Sequence, residues 1–281
     1  MKLLGLRLCE HDSNISYFDG TKLHYYKSER DYQIKHHGYD DLITWRDDIQ
    51  RIFCVKPNEI DDIAIVIDPW QHNFPTDNEE FFPAIDYPLF KADCPVQRIN
   101  HHYAHALSCF PVNNKIPDVE VVIDGFGEIN NAWTVFKDNK VFERGYEKEH
   151  GSPGVEMFLA GKWLNIEYKK GSEYDIAGKL MGLQAYGNHI EEFAKLLPQS
   201  ILRTNDIFDK EKWFRFVGNE LVGTLKPLDW IRTVHNHMGD VLVKFFERIT
   251  DNDYNSIITY SGGVAQNVIW NTKLKNKFPN L

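Results

Sequence analysis

One pattern occurs twice in this chain, and it limits the possible folds more than any other feature. Residues 3–29, LLGLRLCEHDSNISYFDGTKLHYYKSE, alternate apolar runs with polar turns and read as three strands, with Asp19-Gly20 as the hairpin signal. Residues 119–147, VEVVIDGFGEINNAWTVFKDNKVFERGYE, read the same way: an apolar strand, a polar turn from Asp124 to Asn131, a second strand, a turn at Asp138-Asn139 and a third strand. Two unrelated β-meanders would also show such turns, but the matching order of strands predicts a duplication. In both copies the first strand runs into an acidic turn, Glu10-His11-Asp12 in one and Asp124-Gly125-Phe126-Gly127-Glu128 in the other. Short polar side chains and bare glycine backbone at a strand end let a phosphate or a metal ion approach closely.

Helical periodicity follows and interrupts these units. DDIAIVIDPW (61–70) reads as a buried strand stopped by Pro69, and VQRIN (96–100) as a short strand. Leu228, Ile231, Val234, Met238, Val241, Leu242, Phe245 and Ile249 recur at three- and four-residue steps, which predicts a core-facing amphipathic helix. SIITYSGGVAQNVIWNTKLKNK (256–277) changes from a β-branched strand to two glycines and then to a helix. Strands alternating with helices make the class α/β. With 281 residues, 42% of them hydrophobic, the chain can bury one sizeable core or two smaller ones.

Composition excludes several functions. The opening MKLLGLRLCEHD carries Arg7 inside a short apolar run, unlike a signal peptide or a membrane span, so a cytoplasmic protein is expected. Cys9, Cys54, Cys94 and Cys109 show no CxxC spacing, which points to reduced, buried thiols rather than a zinc knuckle or a disulfide framework. A net charge of −9 argues against coating nucleic acid by bulk electrostatics, though a local basic groove remains compatible with it.

INHHYAHALSCF (99–110) holds the most distinctive side chains. If this stretch is helical, His101 and His105 lie one turn apart with Cβ atoms roughly 6 Å from each other, while His102 points elsewhere and reads as packing. Asp124 would complete a two-histidine, one-carboxylate set, which favours Fe(II) and could accept Mn(II) or Zn(II). Histidine pairs at this spacing also arise by chance in a chain with twelve histidines. YSGGVAQN (260–267) puts Ser261, Gly262 and Gly263 at a strand-to-helix junction, where free backbone N–H groups suit adenosine or phosphate. AGKLMGLQAYG (177–187) places Lys179 on a short helix.

The paired strand units resemble the actin-like, or sugar-kinase-like, architecture that grips a nucleotide between two halves. The order HDS, SERxxxxKHH, HHxAHA, DGFGE, GKLMGLxxYG and SGGVAxN, running through the whole chain, resembles the O-carbamoyltransferases of the NodU/CmcH type. This resemblance implies an actin-like domain similar to the threonylcarbamoyl transferases, with a first unit over 1–118 and a second over 119–281. It also implies a YrdC-like domain, in a longer chain or as a partner, that makes carbamoyl-adenylate from carbamoyl phosphate and ATP. The sequence ends at KFPNL, before the segment that in the family supplies a further metal ligand, and Gln184 and Gln266 depart from the family's usual residues.

Site roles follow from the resemblance. His101, His105 and Asp124 would hold the metal. Gly125, Gly127, Glu128, Lys179, Ser261, Gly262, Gly263, Val264 and Asn267 would contact the nucleotide. His11 would act as base toward the acceptor hydroxyl with Asp12 orienting it, and Lys35 would neutralise phosphate or polarise the carbamoyl group, with Glu29 and Arg30 fixing its loop. The opening segment resembles viral members of the family, which points to 5-hydroxymethylcytosine in DNA as the acceptor and to the cytoplasm of a host cell. Aromatic side chains would then stack on an extruded base. The alternatives are a small-molecule alcohol as acceptor, or a nucleotide-binding module without transfer chemistry. No membrane partner is expected, and a homodimer is compatible with the sequence.

Overall fold

A computed structural model describes residues 1–8, 11–67, 81–84, 92–110, 115–125, 127, 130–146, 151–163, 166, 175–195, 197 and 226–281. It divides into two compact units, Met1–Ala104 and His105–Leu281. The division falls inside a helix rather than at the expected 118/119.

The first unit is built on a six-stranded sheet. Strands β1 (Leu3–Arg7), β2 (Asn14–Phe18) and β3 (Leu23–Lys27) form an antiparallel meander. Helices α1 (Ser28–Tyr32) and α2 (Trp45–Phe53) follow, then β4 (Asp62–Val66), β5 (Phe81–Ala84) and β6 (Val96–Ile99), giving the sheet order β3-β2-β1-β4-β6-β5. β4 lies parallel to β1, and β6 parallel to β4. β1, β2 and β4 each alternate half-buried and buried positions, so one face carries the core. Leu4, Leu6, Ile15, Ile63 and Ile65 belong to the same buried cluster as Trp45 and Ile49 of α2. A left-handed Cys54, with φ 56°, ends α2 by returning its N–H to the Ile49 carbonyl.

Helix α3 (His101–Leu107) crosses the division. The second unit repeats the meander as β7 (Val119–Ile123), β8 (Asn131–Lys137) and β9 (Lys140–Tyr146). Helices α4 (Pro153–Trp163), α5 (Ile176–Leu183), α6 (Glu191–Ala194) and α7 (Pro227–Ile249) follow, and β10 (Ile258–Ser261) precedes α8 (Val268–Lys277). β10 lies parallel to β7, so the sheet order is β10-β7-β8-β9. The duplication expected from sequence is therefore present as topology: β3-β2-β1-β4 in one unit and β9-β8-β7-β10 in the other.

The periodic residues of α7 pack as expected. Ile231, Val234, Met238, Val241, Leu242, Phe245 and Ile249 are all buried, against Val121, Trp133, Val135 and Trp270 of the same cluster. Each such side chain contributes about 1.5–3 kcal/mol on leaving water. Pro227 opens the helix where its missing N–H costs nothing. Among the described residues no helix is long and apolar enough to cross a membrane, and Cys54, Cys94 and Cys109 are free thiols. Pro69, Cys9 and Glu10 lie outside the described residues.

Candidate metal centre and nucleotide turn

β7 ends at Ile123, and the next residue is Asp124. Its backbone N–H continues the ladder to the Ala132 carbonyl, while its Oδ1 accepts the Gly125 N–H at 2.7 Å. The other carboxylate oxygen, Oδ2, stands 3.2 Å from Nε2 of His105. His101 precedes His105 by one turn of α3, and the continuous helix fixes their spacing. His101, His105 and Asp124 each present a ligand atom within 4.8 Å of the other two, and all three are half-buried. Two imidazole nitrogens and one carboxylate at this spacing match the donor set of a first-row divalent ion, with positions left for water or phosphate. His102 is fully buried, in keeping with a packing role.

The SGG turn lies against this carboxylate. Parallel pairing of Ser261 with Val122 brings the end of β10 beside the end of β7. Gly262 adopts φ +94°, and a Cβ there would stand 2.4 Å from the Ile123 carbonyl oxygen. A Cβ on Gly263 would stand 2.7 Å from Asp124 Oδ1. Gly262 is needed for the two strand ends to approach, and Gly263 leaves its backbone next to the carboxylate. Val264 is buried in the same core as Ile123 and anchors the turn. The Asp124 loop is tied from the other side by Ser152, whose hydroxyl donates to the Asp124 and Gly125 carbonyls, both at 3.0 Å.

The other residues expected at the nucleotide have local partners or positions of their own. Asn267 accepts the Trp270 N–H at 3.2 Å as the N-cap of α8, and its amide lies 2.9 Å from Nε2 of His235, so both ends of the side chain are engaged. The Gly127 N–H donates to the Asn131 carbonyl at 2.6 Å. Lys179 is exposed on α5, and Glu128 lies outside the described residues. Gln184 is buried and accepts a hydrogen bond from Arg232, which gives it a packing role.

In the first unit, Asp12 sits in the turn after β1. Its Oδ2 meets Nδ1 of His11 at 2.8 Å and Nδ1 of His36 at 3.0 Å, and its Oδ1 meets the Lys27 ammonium at 3.0 Å. The hydrogen bond from His11, then those from His36 and Lys27, hold the Asp12 carboxyl far below the usual carboxylate range despite its burial. Asp12 is therefore ionised at neutral pH, and a carboxylate so placed favours the Nδ1–H tautomer of its imidazoles, with the lone pair on Nε2. Asp12, Glu29 and His36 also lie close enough to hold a metal. Lys27 argues against that use, because its ammonium, 3.4 Å from Glu29 and 3.0 Å from Asp12, already supplies the cation. Burial opposes the charge on Lys27, but Asp12 and Glu29 outweigh it and raise its pKa. Lys35 is exposed beside His36. Neither Lys27 nor His36 was assigned a site role from the sequence, although His36 lies inside the SERxxxxKHH motif that carries the resemblance.

No family model matches the sequence. Among solved structures, T. kodakarensis HypF is similar with a TM-score of 0.61 at 14% identity, over 98% of this chain and 43% of HypF. The chain thus spans less than half the length of HypF. The ROK hexokinase from Thermus thermophilus aligns with 99% of this chain and 88% of its own at 15% identity and TM-score 0.42. A putative N-acetylglucosamine kinase from Porphyromonas gingivalis aligns with 99% of this chain and 90% of its own at 8% identity and TM-score 0.45. The fold is actin-like, an α/β architecture with two sheets.

Proposed function

We propose that this chain is the actin-like part of an O-carbamoyltransferase, which moves a carbamoyl group from carbamoyl-adenylate to an acceptor hydroxyl. The observation that carries this reading is the His101, His105 and Asp124 group with the Gly263 backbone set against the same carboxylate. A module that only bound a nucleotide would have no need of that donor set. The actin-like fold shared with HypF supplies a frame compatible with it.

In this mechanism His101, His105 and Asp124 would hold a divalent ion, with Fe(II) the favoured species. Such an ion would stabilise negative charge on the adenylate phosphate. Ser261, Gly262 and Gly263 offer backbone N–H groups to the phosphate or adenosine. Nε2 of His11, its tautomer set by Asp12, takes the proton of the acceptor alcohol. The alcohol oxygen bonds to the carbamoyl carbon as the bond from that carbon to the phosphate oxygen breaks, and AMP leaves with the electron pair. Base catalysis of this kind contributes about two to four orders of magnitude.

The acceptor proposed first is 5-hydroxymethylcytosine in DNA. The test supplies the protein, a YrdC-like partner domain, ATP and labelled carbamoyl phosphate to DNA with and without this base. Mass spectrometry of the nucleosides then shows a labelled carbamoyl ester on hydroxymethylcytosine if the reading holds. Label confined to carbamoyl-adenylate would move the acceptor to small-molecule alcohols. Adenylate that is never consumed in the presence of either acceptor class would remove transfer from the account.

A further inference from the structure

The segment that delivers His36 to Asp12 follows an unfavourable path. It leaves β3, makes the single turn of α1, and then passes through two left-handed residues, Gln33 at φ 57° and His36 at φ 55°. A non-glycine residue in that region costs about 1–2 kcal/mol and persists only where its surroundings over-determine it.

Two anchors surround the strained residue. The first is backbone. The Ser13 N–H donates to the His37 carbonyl at 2.9 Å, the Ser28 hydroxyl donates to the Ser13 carbonyl at 2.8 Å, and the Tyr39 N–H donates to the Ser13 hydroxyl at 3.1 Å. The second is a buried carboxylate. Asp48 on α2 is 2% exposed, and it receives the hydroxyls of Tyr32, at 3.2 Å, and of Tyr39, together with the Arg51 guanidinium at 2.6 Å. Tyr26 also points here but donates to the nearer Asp31, at 3.0 Å. The two tyrosines that reach Asp48 flank His36 in sequence and enclose His37 in space. The Tyr32 ring stacks on His37 with centroids 4.4 Å apart, and Tyr39 meets His37 edge-on at 5.7 Å.

We propose that Asp48 is a positioning residue for the Asp12 and His36 pair: its two tyrosine hydroxyls hold the Ser28–Tyr39 segment in the left-handed turn that His36 needs to reach Asp12. Asp48 touches neither residue itself. Arg51 keeps the buried carboxylate charge-balanced, so the clamp is stable without a ligand. This inference rests on the reading of Asp12 as the carboxylate that orients the transfer base, but its test does not depend on any transfer being observed.

The test is imidazole NMR on the 281-residue chain labelled with 15N-histidine, together with amide exchange. In the parent protein His11 and His36 each show a hydrogen-bonded Nδ1–H signal. In Asp48→Ala the His36 signal disappears while that of His11 stays, and amides 28–39 exchange at least about tenfold faster, because only the clamped segment loosens. Asp48→Asn, whose amide oxygen still accepts from tyrosine, restores most of the His36 signal. Should Asp48→Ala not fold, the Tyr32→Phe, Tyr39→Phe double variant removes the donors while leaving the pair with Arg51, and the same selective loss is expected. Retention of both imidazole signals in a folded variant, or their equal loss in the tyrosine variant, would overturn the proposal. Failure of carbamoyl transfer with the selective loss intact would discard only the proposed function.

Discussion

The two units share a sheet topology but surround the aspartate that follows its first strand with different partners. Each has a three-stranded meander with a parallel strand on the far side of its first strand, and each places an aspartate just after that first strand. Around Asp12 the neighbours are a lysine and two imidazoles, so the carboxylate already has its cationic and N–H partners. Around Asp124 the neighbours are glycines and the helix that carries the histidine pair, and the three side chains together present a donor set that could hold an ion. Sheet burial follows the same divide: β1 alternates, whereas all five residues of β7 are buried. Topology thus sets where a carboxylate stands, and the side chains packed beside it decide its chemistry.

The sharpest way to break this comparison is to remove the histidines. In the His101→Ala, His105→Ala double variant, bound metal measured by elemental analysis should fall by at least about 100-fold in affinity. Asp12→Ala should leave metal content unchanged. The reverse pattern would exchange the roles of the two aspartates.

A second contrast concerns pH. Glu156 on α4 is 2% exposed with both carboxyl oxygens unpaired, and burial pushes its pKa from the ordinary 4.5 up to about 8. A folded-state value above the unfolded one means that the stability is fully present below pH 4.5 and is lost as pH rises toward 8. Glu156→Gln should therefore stabilise the protein by about 3 kcal/mol at pH 7 and by little at pH 4.5, measured by denaturant unfolding. His235 works in the opposite sense. Burial, then the charges of Arg232 and Lys273, lower its pKa from 6.5 to about 4, against the Asn267 hydrogen bond, so its contribution is present above pH 6.5 and is lost as pH falls toward 4. Over pH 7 to 4.5 the two effects offset each other in the parent protein, and Glu156→Gln should expose an acid lability that the parent lacks. An unchanged acid profile would count against the neutral His235.

The smallest effect is the most local. Gly263→Ala should weaken metal binding about tenfold by displacing Asp124, while stability changes by less than about 1 kcal/mol. Equal loss of metal affinity in Gly178→Ala, where a Cβ meets nothing within 4 Å, would show that the effect is not specific to the turn.

Much of the fold was legible because its signals are local. The hairpin turns at Asp19-Gly20 and Asp138-Asn139, the apolar steps of α7 and the glycine pair after β10 each act within a few residues, and the structure contains all of them. His101 and His105 were legible because a helix fixes their spacing. Beside Asp12 only His11 was legible, as its chain neighbour, since Lys27 and His36 reach it through strand pairing and a folded-back loop. At Asn267 the sequence carries two readings at once, because an N-cap and a nucleotide contact use the same residue type after a glycine turn. The burial of Glu156 had no sequence signal, since an acid in the first turn of a helix usually faces water.

The most direct test of the central claim is anomalous diffraction from crystals of the protein grown with Mn(II) and a non-hydrolysable adenylate analogue. The account predicts one metal peak bounded by His101, His105 and Asp124, with analogue phosphate beside the Gly262 and Gly263 backbone. A peak among Asp12, Glu29 and His36, or phosphate bound away from the glycine turn, would contradict it.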